Sequence, residues 1–558
     1  MFIFDKLNDF VLRHNYNRFI LFLLIFVTFF VTLNCLPPLD RDESRYMQST
    51  LQMIETGDFL NISFLDTTRN KKPPGIYWIQ AASALAIKNI FSLEEFPVWS
   101  FRLPSAIGAS LSIWLTFLIG KALYGRKVGY LASVMLISTP LIFVESHIAK
   151  TDSILLALVL LPLLVVAKII EGLESKSNGP SNILVYSGWF ALGASLIIKG
   201  PIALIILFLT IFFINITNKD FQLKTLKPLL GIIFLILASL PCLLWIYYTG
   251  TSDFVKESLV NDMFLKIISS QESHGAPPGF FIITSFLSCW PLSLFFIPTA
   301  IWAYQNRRDN KIKYLLCWLI PTLVIFEFIP TKLLHYVLPL LPSLSILSAA
   351  MIFDYIEKRN FSLLDTNIYK IIIFIPTLVS IFFAFLILFI GLKYAESSLF
   401  IEITISIIYF IAFLFSVYFM YTNRLLLLAN VAGIINVLCL SAFTAFVTPK
   451  LEKIWISENI HGYVKNNNID KPVILLGYSE PSAVFRLGSD TLIANNVEES
   501  LFHLKNGKKN LLIVEKKFED ILIEKIKFMG IKIHKHDYQI EGINYSKGKK
   551  VLLSIYSN

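Results

Sequence analysis

The acidic and basic side chains of this chain collect in a few short polar stretches. One reads Asp40-Arg41-Asp42-Glu43-Ser44-Arg45-Tyr46, and a later one Asn70-Lys71-Lys72-Pro73-Pro74. His147 to Ser153 holds Lys150 and Asp152. Lys199-Gly200-Pro201, a loop from Asn261-Asp262 to Pro278 carrying His274, and Thr331-Lys332-Leu333-Leu334-His335-Tyr336 follow. Adjacent carboxylates beside Arg and Lys suit a reaction on a phosphate-bearing substrate. The cations hold and neutralise the phosphate. A carboxylate stabilises positive charge growing on a sugar ring, or removes a proton from an acceptor hydroxyl. Lys72-Pro73-Pro74 adds rigidity, since proline fixes its own φ and restricts its predecessor.

Each residue also has a purely structural reading. Asp42-Glu43 could be a solvated helix start at a membrane surface. Asp152 could be an N-cap. Lys199 and Lys332 could be snorkelling side chains, and His274 and His335 interfacial hydrogen-bonders. Their joint presence on one face of the expected topology favours chemistry without identifying a reaction. His274, Lys332 and His335 stand as candidate acceptor or substrate contacts.

The elements that must position these residues are membrane spans. The chain has 558 residues, 55% hydrophobic and 16% charged, where a soluble protein carries about 25% charged residues. That excludes a soluble enzyme, a disordered chain and a fibrous repeat. Apolar segments at about 19–36, 101–120, 128–147, 153–170, 183–198, 201–217, 228–248, 279–303, 313–330, 335–353, 369–392, 401–421 and 425–447 predict about thirteen spans. Lys6, Arg13 and Arg18 precede the first run, which is long for a signal peptide and has no small-residue cleavage site after it. It reads as a retained span with a cytoplasmic N-terminus.

Basic loops at Lys121/Arg126/Lys127, Lys219/Lys224/Lys227, Arg307/Arg308/Lys311/Lys313, Lys358/Arg359 and Arg424 are cytoplasmic by the positive-inside rule. The alternation then puts every chemical stretch on the outer face. It leaves no crossing for 76–92, expected as a juxtamembrane helix within the outer loop 37–100. The excess of 49 Lys and Arg over 39 Asp and Glu fits loops against anionic lipid rather than nucleic acid. Five cysteines without a CxxC pair suggest neither a disulfide framework nor a zinc site. From about residue 450 the chain turns rich in Lys, Glu and Asn. Apolar runs 473–476, 491–494, 510–514 and 551–555, with helical patterns near 480–487 and 516–529, predict a small outer α/β domain.

At the polar stretches the sequence resembles a known family. DRDESRYMQSTLQMIETGDF followed by KKPPGIYWIQAAS is similar to the first outer loop of bacterial membrane glycosyltransferases of the GT-C class. Within that class it resembles the ArnT-like branch, related to protein O-mannosyltransferases. AKTDSILLA, IKGPIALI, SSQESHGAPPGF, TKLLHYVLPLLPSL and GYSEPSAVFRLG resemble later family blocks, in the family's order and over nearly the whole chain. The resemblance implies an all-α polytopic catalytic domain over 1–449, with juxtamembrane helices in its first periplasmic loop, and a periplasmic α/β domain over 450–558. It implies an undecaprenyl-phosphate-linked sugar as donor and lipid A or another envelope acceptor, at the periplasmic face of the bacterial inner membrane. In the ArnT-like branch the sugar is aminoarabinose and the acceptor a lipid A phosphate.

Carried over by motif, Asp42 with Glu43 and Asp152 are the catalytic candidates. Arg45, Tyr46, Lys72, Lys199 and Tyr336 fall on donor-phosphate positions. Two departures stand out. Many relatives have Glu where Lys71 stands, and an EHxxR pattern where this chain reads Asp262-Met263-Phe264-Leu265-Lys266. The family's likely metal ligands are thus replaced by Lys71 and Met263, and no metal is firmly implied. Lys266 keeps the positive charge of the missing Arg but not its fork geometry. Transfer to a protein Ser/Thr or another envelope glycan is the rival within the enzymes, sharing the donor site. A transporter is the remote rival. It would set ionisable groups near the bilayer midplane at a repeat interface, and no repeat is evident here.

Overall fold

The structure, a computed structural model, describes residues 17–69, 71–175, 179–249, 275–358, 366–395, 398–467, 469, 472–506 and 511–557. Lys266, His274, Asp262 and Met263 lie outside these residues.

Helices account for the first part of the chain: α1 (Asn17–Phe29), α2 (Asp42–Thr56), α3 (Gly75–Ile90), α4 (Val98–Tyr124), α5 (Arg126–Ile137), α6 (Pro140–Ser146), α7 (Asp152–Ser175), α8 (Asn182–Lys199), α9 (Ile202–Thr217) and α10 (Pro228–Thr249). Then come α11 (Phe280–Ser288), α12 (Phe296–Gln305), α13 (Asn310–Phe328), α14 (Leu341–Lys358), α15 (Asn367–Tyr394), α16 (Phe400–Tyr421) and α17 (Leu425–Ala442). Their lipid-facing sides are rich in exposed Phe, Leu and Ile, as on α10, α15 and α16. Such faces are stable only in an apolar solvent.

Each expected span has a helical counterpart. Among the described residues, eight helical segments are long and apolar enough to cross alone, and a ninth if α5 and α6, bent by 69°, form one broken span. The first span, α9 and the segment around α12 are shorter apolar helices. The chain is therefore a multi-pass membrane protein. Most of the expected segment 76–92 lies in α3, whose 16 residues reach about 24 Å at 1.5 Å per residue, short of the ~30 Å hydrocarbon core. It packs on α2 and α4 instead.

Glycines set the close approaches that matter for the polar end. A Cβ at Gly108 of α4 would fall 2.7 Å from the Ile154 nitrogen, so α4 lies directly on the start of α7. A Cβ at Gly75, first residue of α3, would fall 2.8 Å from the Ile197 carbonyl oxygen. Only a residue without a side chain lets the Lys72-Pro73-Pro74 turn sit on the last turn of α8, as small residues do wherever membrane helices approach closely.

The C-terminal unit is a five-stranded mixed sheet. Its strands are β3 (Val473–Leu476), β4 (Leu492–Ala494), β5 (Leu511–Glu515), β6 (His534–Asn544) and β7 (Lys549–Ser557), in the order β4-β3-β5-β7-β6. A short hairpin in the loop between α1 and α4 supplies β1 (Ser63–Phe64) and β2 (Thr67–Thr68). β3 is parallel to β4 and β5, while β7 is antiparallel to β5 and β6. Helices α18 (Ile456–Asn466), α19 (Pro481–Leu487), α20 (Val497–Asn506) and α21 (Lys516–Met529) cover it. Val473 and Leu475 pack with Ile456 and Ile460 on one face, Ile474 and Leu476 with Leu501 and Leu522 on the other. Burial on both faces explains why β3 and β5 read as unbroken apolar runs. The edge strand β6 is largely exposed and polar, which is why no apolar run announced it.

This unit sits on the loop between α1 and α4. The Asp40 backbone N–H donates to the Tyr545 hydroxyl at 2.6 Å, and Arg41 Nη2 to the Ser546 carbonyl at 2.6 Å. Gln48 Nε2 donates to Ser489 Oγ at 3.0 Å, and Phe485 meets Phe101 edge-on.

Candidate active site

Asp152 opens α7 and Lys199 closes α8. Lys199 Nζ donates to Asp152 Oδ1 at 2.5 Å. The broken α5–α6 pair brings in Glu145, a residue that sequence reasoning passed over. Lys150 Nζ donates to Glu145 Oε1 at 3.2 Å. Burial works against the Lys150 charge, but Glu145 and Asp152 outweigh it and hold the amine protonated. His335 stands between the acids, its Nδ1 3.7 Å from Glu145 and its Nε2 3.7 Å from Asp152. These lengths are too long for hydrogen bonds. Glu145 is 5% exposed, and its second oxygen, Oε2, is buried with no hydrogen-bond partner among the described residues.

Lys72, Asp152, Lys199, His335 and Tyr336 form the polar end of a cavity of about 450 Å³. The rest of its wall is apolar, with Leu155, Ile205, Leu209, Leu243 and Ile325 among the lining residues. Lys199 Nζ also lies 6.0 Å from the centre of the Tyr336 ring. Sequence motifs far apart in the chain thus meet at one site.

Other expected residues sit elsewhere. Glu43 is fully engaged: Arg102 donates to its Oε1 and Oε2 at 2.8 and 2.9 Å, and the backbone N–H groups of Ala149 and Leu39 donate at 2.8 Å each. With Arg102 at 0% and Glu43 at 1% exposure, this pair has no access to a substrate. The expectation of a catalytic Glu43 is corrected. It ties α2 to α4 and to the 148–152 loop, which holds its exposed neighbour Asp42 in position. Arg102 was missed because a single Arg near a span end reads as an interfacial anchor.

Tyr46 is buried against Tyr77, ring centres 5.4 Å apart, with Arg69 over its own ring at 5.8 Å. Burial pushes its hydroxyl well above the usual range, and Tyr77 and Asp42 add to the shift. It lines neither cavity of the site. Lys332 donates to the carbonyls of Glu327, Ile329 and Phe326 at 2.7, 2.9 and 3.3 Å, closing the end of α13. Glu327 in turn accepts the N–H groups of Gly279 and Ile282 at the start of α11. Lys332 is therefore a helix cap and not a substrate contact. Arg45 lines a second cavity, between the loop that precedes α4 and the C-terminal unit.

Glu145, Asp152 and His335 offer three possible metal-ligand atoms within 4.8 Å of one another. Lys150 and Lys199 already supply two positive charges to these carboxylates, so a divalent cation would add repulsion with little charge left to neutralise. The set fits an ion-pair network better than a metal site.

The architecture is a polytopic helical domain, helices in the loop that follows its first span, and a C-terminal sheet unit packed on that loop. A crystal structure of ArnT from Cupriavidus metallidurans bound to undecaprenyl phosphate aligns with a TM-score of 0.73, covering 97% of this chain and 98% of that one at 15% identity. Its apo form aligns with a TM-score of 0.70. Residues 71–245 match the family described as dolichyl-phosphate-mannose-protein mannosyltransferase. An undecaprenyl phosphate-alpha-4-amino-4-deoxy-L-arabinose arabinosyl transferase of Pseudomonas fluorescens is 23% identical over 58% of this chain and 56% of its own length. One of Proteus mirabilis is 26% identical over 63% and 62%. The chain thus spans less than two thirds of the length of these curated relatives.

Proposed function

We propose that the protein is an integral-membrane glycosyltransferase. It moves a sugar, aminoarabinose or a related sugar, from undecaprenyl phosphate to lipid A at the periplasmic face of the inner membrane. The observation that carries this reading is the cavity whose apolar wall ends at Lys72, Lys199, His335 and Tyr336. Those are the two requirements of an isoprenoid phosphate, an apolar slot and a cationic end. The polar groups cluster at helix ends, Asp152 first in α7 and Lys199 last in α8, which favours surface chemistry over a midplane transport site.

In this reading Lys72, Lys199 and Tyr336 hold the donor phosphate, and Asp152 fixes Lys199. Lys266 belongs to the same expected clamp. The bond between the anomeric carbon and the phosphate oxygen breaks, its electron pair staying on the lysine-neutralised phosphate. An acceptor oxygen forms the new bond on the opposite side. Asp42 stabilises the positive charge that grows on the ring. A lipid A phosphate is already ionised near neutral pH and needs no base. A hydroxyl acceptor would need one.

Lipid A mass spectrometry of cells with and without the protein, and with Asp42→Asn or Lys72→Ala, tests this. A sugar-sized mass loss in the null and both variants is expected. Unchanged lipid A in cells that contain the donor would overturn the acceptor and point to a glycoprotein or polysaccharide.

A further inference from the structure

A membrane helix that breaks must satisfy the backbone groups it frees from within the protein. α5 and α6 read as one apolar run but are bent by 69° across Ser138-Thr139-Pro140. Pro140 has no N–H to give the Leu136 carbonyl. The Thr139 N–H and hydroxyl serve that carbonyl instead, at 3.0 and 2.9 Å, and the Ser138 hydroxyl serves that of Met135 at 2.9 Å. The Ser138 carbonyl finds its donor on α17, where Asn436 Nδ2 reaches it at 2.6 Å.

Asn436 is fully buried. Its Nδ2 also donates to the Trp290 carbonyl at 3.2 Å, and its Oδ1 accepts the hydroxyl of Tyr409 on α16 at 2.7 Å. Carbonyls only accept, so two carbonyl partners fix which way the amide faces. Gly433, earlier on α17, makes room for the contact: a Cβ there would stand 3.3 Å from Ser138 Oγ.

Beyond the bend, α6 brings Glu145 to Lys150 at 3.2 Å and to His335 at 3.7 Å. Ser153 Oγ, in the first turn of α7, donates to the Glu145 carbonyl at 2.8 Å. Glu145 lies about 8 Å along α6 at 1.5 Å per residue, so straightening the bend would displace it by a similar distance. Resting on the function proposed above, we infer that Asn436 is a positioning residue for sugar transfer: from α17 it fixes the α5–α6 bend that sets Glu145 against Lys150 and His335, at the polar end of the apolar cavity. Asn436 lines neither cavity and acts only through the bend. Among the described residues, the wall of the apolar cavity takes nothing from α5, α6, α16 or α17. Loss of the amide should therefore cost turnover and spare donor binding.

The test uses full-length protein in nanodiscs, with undecaprenyl phosphate aminoarabinose as donor and lipid A as acceptor. Asn436→Asp keeps the size of the side chain and cannot donate to two carbonyls. Tyr409→Phe removes one hydroxyl and keeps the ring, so it folds even where the first variant does not. Asn436→Asp should lower kcat at least about tenfold, in line with the cost of misplacing reacting groups from a distance. Tyr409→Phe should lower it less, and the donor KM should stay near its original value in both. A second readout needs no turnover. Limiting acetic anhydride, followed by mass spectrometry, reports how freely each lysine reacts. Both variants should label Lys150 several times faster, because Glu145 no longer holds it, while Lys517, an exposed lysine of α21, keeps its rate. Glu145→Gln should reproduce that pattern. The inference is overturned if both variants keep the original kcat or leave Lys150 labelling unchanged. A donor KM that rises as far as kcat falls, or labelling that rises equally at Lys517, would make Asn436 a general structural anchor and overturn it too. If the unaltered protein transfers no sugar, the proposed function fails instead, and Lys150 labelling still decides the bend.

Discussion

Lys199 Nζ donates to Asp152 Oδ1 at 2.5 Å, so the last residue of α8 is tied to the first of α7. Both side chains are largely buried, at 11% and 7% exposure. Removing one member of a buried pair leaves an uncompensated charge and costs about 3–5 kcal/mol. Asp152→Asn should therefore lower both thermal stability and transfer rate. The double variant Asp152→Asn/Lys199→Met should regain stability and stay inactive. Melting temperatures beside turnover separate the two effects, and a fully active double variant would remove the pair from the mechanism.

Asp42 and Glu43 are neighbours with opposite consequences. Glu43→Gln breaks the closed pair with Arg102 and should depress folding yield and melting temperature. Asp42→Asn, at an exposed position, should leave the unfolding free energy within about 0.5 kcal/mol of wild type and abolish most turnover. If Asp42 also served as a base, its variant would lose an acidic limb of the rate–pH profile that the wild type has. An identical profile shape, lower in height, is expected for a purely electrostatic role.

Gly75 tests the placement of Lys72. A Cβ there would meet the Ile197 side chain at 2.5 Å and its carbonyl oxygen at 2.8 Å. Gly75→Val should push the Lys72-Pro73-Pro74 turn off α8 and weaken undecaprenyl phosphate binding at least tenfold. Binding at wild-type strength would show that the turn can shift without moving Lys72.

The C-terminal unit carries its own acid sensitivity. Glu519 is buried and accepts from Lys516, Lys535 and Tyr556 at 2.5–2.6 Å. Burial alone would raise its pKa, but these bonds outweigh it and hold the carboxyl at about 2. A depressed native pKa gives stability that is present above the unfolded value of about 4.3. That stability is lost as pH falls from there toward 2. Glu519→Gln should flatten this acid limb of a melting-temperature profile while lowering stability at neutral pH.

Much of the site was legible because its residues sit at helix ends marked by glycine and proline. Lys72 precedes Pro73-Pro74-Gly75 and Lys199 precedes Gly200-Pro201. Helix positions followed from apolar run length, and β3, β5 and β7 from short apolar runs. Glu145 was hidden inside the run 128–147, although one carboxylate in an apolar segment is itself a signal of function. The capping role of Lys332 depends on carbonyls of α13 that fold back onto it, and the occupation of Glu43 depends on Arg102, 59 residues away. Neither partner can be assigned from spacing. β6 lacked an apolar run because an edge strand packs only in part.

The peptide bond between Lys71 and Lys72 has a thermodynamic consequence. Lys71 lines one cavity and Lys72 the other, so occupants of the two would act on one short stretch of backbone. Linkage is reciprocal: if donor lipid changes the affinity of the second cavity by some factor, an occupant there changes donor affinity by the same factor. The order in which two such ligands arrive would then alter the kinetics and leave the final affinity of the doubly occupied protein unchanged.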